Sequence, residues 1–237
     1  MLKIDSFSKT YKGDKKAVNN LSLQVNAGEI FGFIGPNGAG KTTTIKALAG
    51  VLDFEQGEIY IDGFSIKEKP LECKKTMAYI PDNPDLYEYL TGVAYLNFIG
   101  DIFRIDRDER EKLIIHFADR FELTKDLGNL ISSYSHGMKQ KLAIISALIH
   151  SPKLLVLDEP FVGLDPKASF VFKTIMREIC DTGGAVFFST HVLDVAEKLC
   201  DRVAIIRNGE LIACGNTAEV RGDHSLEEIF LELTENA

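Results

Sequence analysis

Gly35-Pro36-Asn37-Gly38-Ala39-Gly40-Lys41-Thr42-Thr43 is the stretch on which the rest of the chain is read. It has the spacing G-x-x-x-x-G-K-[ST], a phosphate-binding loop. Before it stands Glu29-Ile30-Phe31-Gly32-Phe33-Ile34, an apolar run with the character of a buried strand. After it comes Thr44-Ile45-Lys46-Ala47-Leu48-Ala49, the start of a helix. A Gly-rich turn with a chance lysine would lack that strand–loop–helix frame. Glycines at 35, 38 and 40 let the backbone wrap closely and aim its N–H groups inward, and the helix offers its positive end to the same anion. In this geometry Lys41 reaches the β- and γ-phosphates and the Thr42 hydroxyl ligates Mg²⁺.

Working outward, residues 1–34 read as strands over Leu2–Phe7, Leu21–Val25 and Glu29–Ile34, with a polar turn at Gly13-Asp14-Lys15-Lys16. Gly57–Gly63 frames another short strand, and Met77–Ile80 is a short apolar run closed by Pro81. From about residue 88 the pattern becomes helical, over Val93–Phe103, Arg107–Phe121 and Met138–Ile149. Continuous apolar runs return at Lys153–Leu157 and Ala185–Ser189, as central parallel strands require, with a crossover helix expected over Ala168–Asp181. Arg207-Asn208-Gly209 predicts a hairpin with an Asn-Gly turn, and Leu226–Leu233 a closing helix. The domain expectation is one cassette: a core with a β subdomain over 1–82 and 151–222, a helical subdomain over 83–150 and a C-terminal helix over 223–237.

Bulk properties narrow the function class. The 237 residues are 45% hydrophobic and 26% charged, ordinary for a globular chain with a real core. The net charge of −8 disfavours nonspecific attraction to nucleic acid or to an anionic membrane face. No apolar run approaches the roughly 20 residues needed to cross a bilayer, and the alternating Met1–Phe7 is not a signal peptide. Work at a membrane therefore calls for a protein that holds the chain there. Cys73, Cys180, Cys200 and Cys214 are scattered, which reads as free thiols in a reducing compartment. The five histidines show no metal spacing.

Three further segments complete a nucleotide site. Leu154–Pro160 is an apolar strand ending in two adjacent carboxylates. Because neighbouring strand side chains point to opposite sides, Asp158 is assigned to Mg²⁺ and Glu159 to the attacking water as general base. Ser189-Thr190-His191 follows another buried strand, at the edge where open α/β sheets bind ligands; His191 is read as a donor to the γ-phosphate or the water. Tyr134-Ser135-His136-Gly137-Met138-Lys139-Gln140 opens a helix with Ser135 as N-cap. It reads equally as a second anion site and as a well-capped helix.

Together these residues resemble the nucleotide-binding domain of ATP-binding cassette (ABC) proteins, over essentially the whole chain and in the family's order. Gly35, Pro36, Asn37, Gly38, Ala39, Gly40, Lys41, Thr42 and Thr43 correspond to the Walker A motif, Tyr134–Met138 to the signature, and Leu154–Glu159 to Walker B with its catalytic glutamate. Gly163-Leu164-Asp165 matches the D-loop, His191 the switch histidine, and Tyr11 the aromatic that stacks on adenine. The resemblance implies an α/β P-loop fold with a RecA-like core, an antiparallel β subdomain and a helical insert. It also implies ATP and Mg²⁺ as cofactors. Two such domains, identical or related, would meet head to tail, so that Ser135 and Gly137 contact the ATP of the partner domain and Asp165 couples the two sites.

The signature form and the ending Ser225–Leu231 resemble the ATPase subunits of bacterial ABC-2-type exporters, the bacitracin-resistance-like group. In that group a separate transmembrane permease holds the ATPase at the cytoplasmic face of the membrane, and nucleic acid has no part. A soluble ABC ATPase serving an iron–sulfur assembly scaffold is the rival reading. The chain departs from the family at several positions. Tyr134, His136 and Met138 replace the usual Leu, first Gly and Gln of the signature; His136 either crowds the phosphate or adds a titratable donor beside it. Asp82 stands where the family has a glutamine, as a carboxylate able to ligate Mg²⁺. Asp82–Tyr87 falls where the family receives the permease's coupling helix, with Leu86 and Tyr87 expected as apolar anchors.

Overall fold

The computed structural model describes residues 1–13 and 15–235; Asp14 of the expected turn and the last two residues of the expected C-terminal segment lie outside the described residues. Along the chain run β1 (Leu2–Tyr11), β2 (Lys15–Val25), β3 (Ile30–Ile34), α1 (Lys41–Leu48), β4 (Gln56–Ile61), β5 (Phe64–Ser65), α2 (Pro70–Thr76) and β6 (Met77–Ile80). Then come α3 (Gly92–Ile102), α4 (Arg107–Arg120), α5 (His136–Leu148), β7 (Leu154–Asp158), α6 (Pro166–Asp181), β8 (Ala185–Thr190) and α7 (Leu193–Leu199). β9 (Arg202–Arg207), β10 (Glu210–Asn216), α8 (Thr217–Arg221) and α9 (Leu226–Glu235) complete it.

The chain forms two compact units. The first comprises Met1–Tyr79, Lys153–Pro160 and the chain from Met176; the second comprises Ile80–Pro152 and Phe161–Ile175.

In the first unit a four-stranded antiparallel sheet has the order β2-β1-β4-β5, and a six-stranded sheet the order β10-β9-β3-β8-β7-β6. β3 pairs in parallel with β8 and β9, and β7 with β8. Every residue of β3, β7 and β8 is buried, which is why these strands read as unbroken apolar runs and not as alternating ones. Alternation still sorts the two faces. Phe31 and Phe33 of β3, Leu154 and Val156 of β7, and Ala185 and Phe187 of β8 join Ile45 and Leu48 of α1 in one apolar cluster. That cluster continues through Ile4, Phe7, Leu21 and Ile59 of the antiparallel sheet. The helix that follows the phosphate loop is thus fixed by burial on the same sheet face that carries the ends of β7 and β8.

β1 and β2 run further than the expected Leu2–Phe7 and Leu21–Val25. Their pairing shifts register between Ile4 and Phe7 and again before Thr10, and Ser6 and Asn20 adopt left-handed backbone. Bulges of this kind break the two-residue period on which the sequence reading depends. In the second unit, Thr91, Asp106 and Ser135 cap α3, α4 and α5 with their side chains, each accepting an otherwise unpaired N–H. Phe121 and Phe172 pack with ring centroids 6.4 Å apart. The seven-residue α2 and α7 lack the length to show a helical period and escape the sequence reading. All four cysteines are free, with Cys73, Cys180 and Cys200 buried.

Candidate nucleotide site

The phosphate loop joins β3 to α1. Gly35, Ala39 and Gly40 are buried and Pro36, Asn37 and Gly38 form an exposed crest. Gly40 is the N-cap of α1, at φ 108°. A Cβ there would stand 2.5 Å from the Ala17 carbonyl oxygen, so both backbone angle and space require glycine. The loop is braced from the side: Gly209 N–H donates to the Ala39 carbonyl at 2.9 Å. Gly209 belongs to the turn between β9 and β10, where Asn208 and Gly209 both have positive φ, the type I′ hairpin expected from Asn-Gly.

Lys41 is almost fully buried, 6% exposed. Its ammonium donates to the Gly35 carbonyl at 2.6 Å and the Pro36 carbonyl at 3.3 Å, and lies 3.9 Å from Glu159 Oε1. Burial pulls its pKa below the ordinary lysine value, and the charges of Glu159 and Asp158 oppose that shift. Thr42 is exposed. Tyr11, at the end of β1, is 42% exposed and its hydroxyl is 3.4 Å from Thr43 Oγ1, so an open aromatic face stands beside the loop.

Asp158 ends β7 and is 1% exposed. Its Oδ1 accepts from the Ser189 hydroxyl, while Oδ2 is buried without a hydrogen-bond partner. Such an atom is costly unless a cation or donor meets it. Glu159 does not continue the strand. It takes left-handed backbone, φ 48°, which costs a non-glycine residue about 1–2 kcal/mol. The expectation that strand alternation separates the two carboxylates is therefore corrected: the strand stops at Asp158 and a backbone kink re-aims Glu159. The Glu159 N–H donates to Ser189 Oγ at 3.1 Å, and His191 Nδ1 lies 2.9 Å from Glu159 Oε1.

The first unit thus brings together Tyr11, the loop Gly35–Thr43, Asp158, Glu159 and His191. Ser189, fully buried and touching both acids, is missing from the sequence reading of the site. Its part depends on the pairing of β7 with β8, which sets Asp158 opposite Ser189; a single segment carries no sign of that. Among the described residues no cluster of three His, Cys, Asp or Glu side chains is arranged to hold a metal.

Asp82, Ser135, Gly137 and Asp165 belong to the second unit. The Asp82 side chain accepts from the Asn83 N–H at 2.9 Å. Ser135 caps α5 by accepting from the Met138 N–H at 3.3 Å. His136 and Gly137 open that helix and interlock with the Gly163–Asp165 segment. A Cβ on Gly137 would stand 2.8 Å from the Gly163 carbonyl oxygen, and one on Gly163, at φ 82°, would stand 2.4 Å from His136 Cδ2. His136 therefore presses the Cδ2–Nε2 edge of its ring against a glycine that must remain one. Asp165 accepts from the Ala168 N–H at 2.8 Å and pairs with Lys141 of α5 at 2.8 Å. Those contacts, Lys141 first, hold its carboxyl below the usual aspartate range.

Leu86 is 7% exposed and part of the core, whereas Tyr87 is 46% exposed. The expectation of Leu86 as a surface anchor is corrected. An apolar side chain next to an exposed tyrosine in an irregular segment gives no periodicity to say which one faces inward.

A glycine-rich loop between a buried strand and a helix, facing a buried aspartate and a kinked glutamate, defines a P-loop nucleotide hydrolase. The chain belongs to the ABC transporter ATP-binding family, whose profile, described as ABC transporter, matches residues 18–162. It is 34% identical over 220 residues to the linearmycin resistance ATP-binding protein LnrL of Bacillus subtilis (strain 168), covering 93% of this chain and 70% of that one. The chain spans 61% of the length of a further relative, an uncharacterized ABC transporter ATP-binding protein of Synechocystis sp. that is 36% identical to it over 219 residues. The solved ATP binding subunit of an ABC transporter superposes with a TM-score of 0.95 at 34% identity, covering 99% of this chain and 100% of that one. A dimeric ATP-binding cassette in a post-hydrolysis state, bound to ADP and Pi, has a TM-score of 0.82 at 24% identity, covering 92% and 99%, a likeness of fold alone. The fold is the α/β ABC ATPase fold, and the chain is an ABC ATPase domain.

Proposed function

We propose that this chain is the ATP-hydrolysing subunit of a bacterial ABC exporter, working as a pair of ATPase domains at the cytoplasmic face of the membrane through a separate permease. The observation that carries the chemistry is the position of Glu159, its carboxylate 2.9 Å from His191 Nδ1 and 3.9 Å from Lys41 Nζ, beside an Asp158 oxygen with no partner.

In this reading Lys41 and the loop amides bind the β- and γ-phosphates, and Tyr11 stacks on the adenine. Glu159 takes the proton of the attacking water. His191, whose Nδ1 lies 2.9 Å from Glu159 Oε1, is assigned to the γ-phosphate or the attacking water. The residues present suit Mg²⁺: one buried carboxylate oxygen without a partner and the Thr42 hydroxyl make the small protein ligand set that this ion takes beside phosphates and water. When bound, Mg²⁺ supplies charge neutralisation at the β- and γ-oxygens. Ser135 and Gly137 at the start of α5 are assigned to the ATP of the partner domain, an anion site of the helix N-terminus kind. The exporter assignment is supported by the signature form and by the linearmycin-resistance relative. A separate permease fits the finding that no helix among the described residues is long and apolar enough to cross a membrane.

Replacing Glu159 by Gln tests the reading. ATP binding should persist, turnover should fall by about 10² to 10⁴, and an ATP-bound dimer should accumulate in light scattering. Turnover near that of the wild type would remove Glu159 from the role of base.

A further inference from the structure

We infer that Ser189 is a positioning residue for the hydrolytic site: one buried hydroxyl sets the orientation of Asp158 and the backbone kink of Glu159. The inference rests on the proposed roles of those two acids.

The parallel register of β7 and β8 sets Asp158 opposite Ser189. Leu154 and Val156 behind Asp158, and Ala185 and Phe187 behind Ser189, lie in the apolar cluster around α1. By alternation both polar side chains emerge on that face, at the end of the sheet where the phosphate loop begins. Ser189 is wholly buried, and a buried hydroxyl needs partners on both sides. Its proton goes to Asp158 Oδ1 and its lone pair takes the Glu159 N–H at 3.1 Å.

Each bond has a consequence for chemistry. Tying Oδ1 fixes the carboxylate plane and leaves Oδ2 as the only Asp158 atom without a partner, which singles it out for a cation. Holding the Glu159 N–H supports the left-handed residue at φ 48°, and that kink carries the Glu159 side chain to His191 and Lys41. Orienting partners of this kind change metal affinity or activity by about 10- to 100-fold when removed.

Ser189→Ala and Ser189→Thr would be compared with Asp158→Asn and Glu159→Gln in the full chain. ATPase turnover, its Mg²⁺ midpoint, and affinity for a fluorescent ATP analogue in EDTA would be measured. Ser189→Ala is expected to lower kcat about tenfold and raise the Mg²⁺ midpoint several-fold, with affinity in EDTA unchanged; Ser189→Thr, which keeps a hydroxyl, should hold both within about threefold of wild type. Wild-type kcat and Mg²⁺ midpoint in Ser189→Ala would overturn the inference. So would an equal loss of affinity in EDTA, the mark of general damage, or a Ser189→Thr variant as poor as Ser189→Ala. Failure of the underlying assignment shows separately, as Glu159→Gln or Asp158→Asn turning over normally.

Discussion

Lys41 shows how a residue held at a cost reports its purpose. Its ammonium is removed from water, with its pKa lowered by burial, and the partners it finds in its own loop are two carbonyl oxygens. A phosphate is a far better partner for that charge. Lys41→Ala should therefore abolish the rise in melting temperature that ATP confers on the wild type, a rise that follows from binding to the folded state alone. A thermal shift that survives in the variant would place the phosphates elsewhere. Tyr11 gives a second outcome at this scale. Its hydroxyl contact with Thr43 is long and solvent-exposed, so Tyr11→Phe should keep nucleotide affinity while Tyr11→Ala loses about 1–3 kcal/mol of stacking, readable by titration with ATP. Most of these residues were legible in the sequence because their motifs are local: the loop from Gly35 to Thr43 and the pair Asp158-Glu159 carry their chemistry within a few positions. Ser189 was not legible, since its part comes from a partner strand 31 residues away. The kink that aims Glu159 is illegible for a related reason: the positive φ of a single glutamate leaves no sign in composition or spacing.

At the scale of elements, the strands buried on both faces and the capped helices were the readable part, and the bulged β1 and β2 and the seven-residue helices were not. α5 carries a feature that pattern reading misses entirely. Just past its end, His150 stacks on Phe103 at 3.7 Å between centroids and 2° between planes. Its Nδ1 is buried without a partner, and burial pushes its pKa down to about 4. The ring is thus neutral in the folded chain while the unfolded chain takes up a proton near the ordinary value of about 6.5. The unfolded state then binds more protons between those two values, so stability is full above about pH 6.5 and falls as the pH drops toward 4. The urea midpoint should fall between pH 7 and pH 5, and His150→Phe, which keeps a flat ring against Phe103, should show a smaller fall over the same interval. Equal falls in both proteins would mean that His150 titrates normally. The interlock of His136 with Gly163 gives the other test on α5. Gly163→Ala meets both a positive φ and the imidazole, so it should lower kcat, and His136→Gly in the same chain, which removes the ring but not the φ strain, should recover part of that loss. No recovery would show that backbone strain alone, and not the ring, sets the cost.

For the whole molecule the question is where a membrane subunit would be received. The correction at Leu86 leaves Tyr87 as the exposed anchor of the expected segment and extends it to an aromatic group in the second unit. Tyr87 packs against Tyr89 at 5.9 Å and against Phe98 of α3 at 5.6 Å, and the three are 46%, 76% and 41% exposed. Adjacent exposed aromatic rings are what interface anchors are commonly made of, and here the Phe98 ring meets Tyr87 edge-on and the Tyr89 ring meets it at a tilt. The proposed docking therefore belongs to Tyr87, Tyr89 and Phe98, while Leu86 is buried. Tyr87→Ser combined with Tyr89→Ser should leave the chain folded and its basal ATPase near wild type, because neither ring lies in the core or among the nucleotide-site residues. Co-purification with the cognate permease from detergent extract should fall sharply, as should stimulation of ATPase by that permease. Leu86→Ala should instead destabilise the isolated chain by about 2–5 kcal/mol, as loss of a buried leucine does, and so lower its melting temperature. Assembly that survives the double tyrosine substitution would remove this patch as the docking surface, and a collapse of basal turnover would tie it to the ATPase cycle itself.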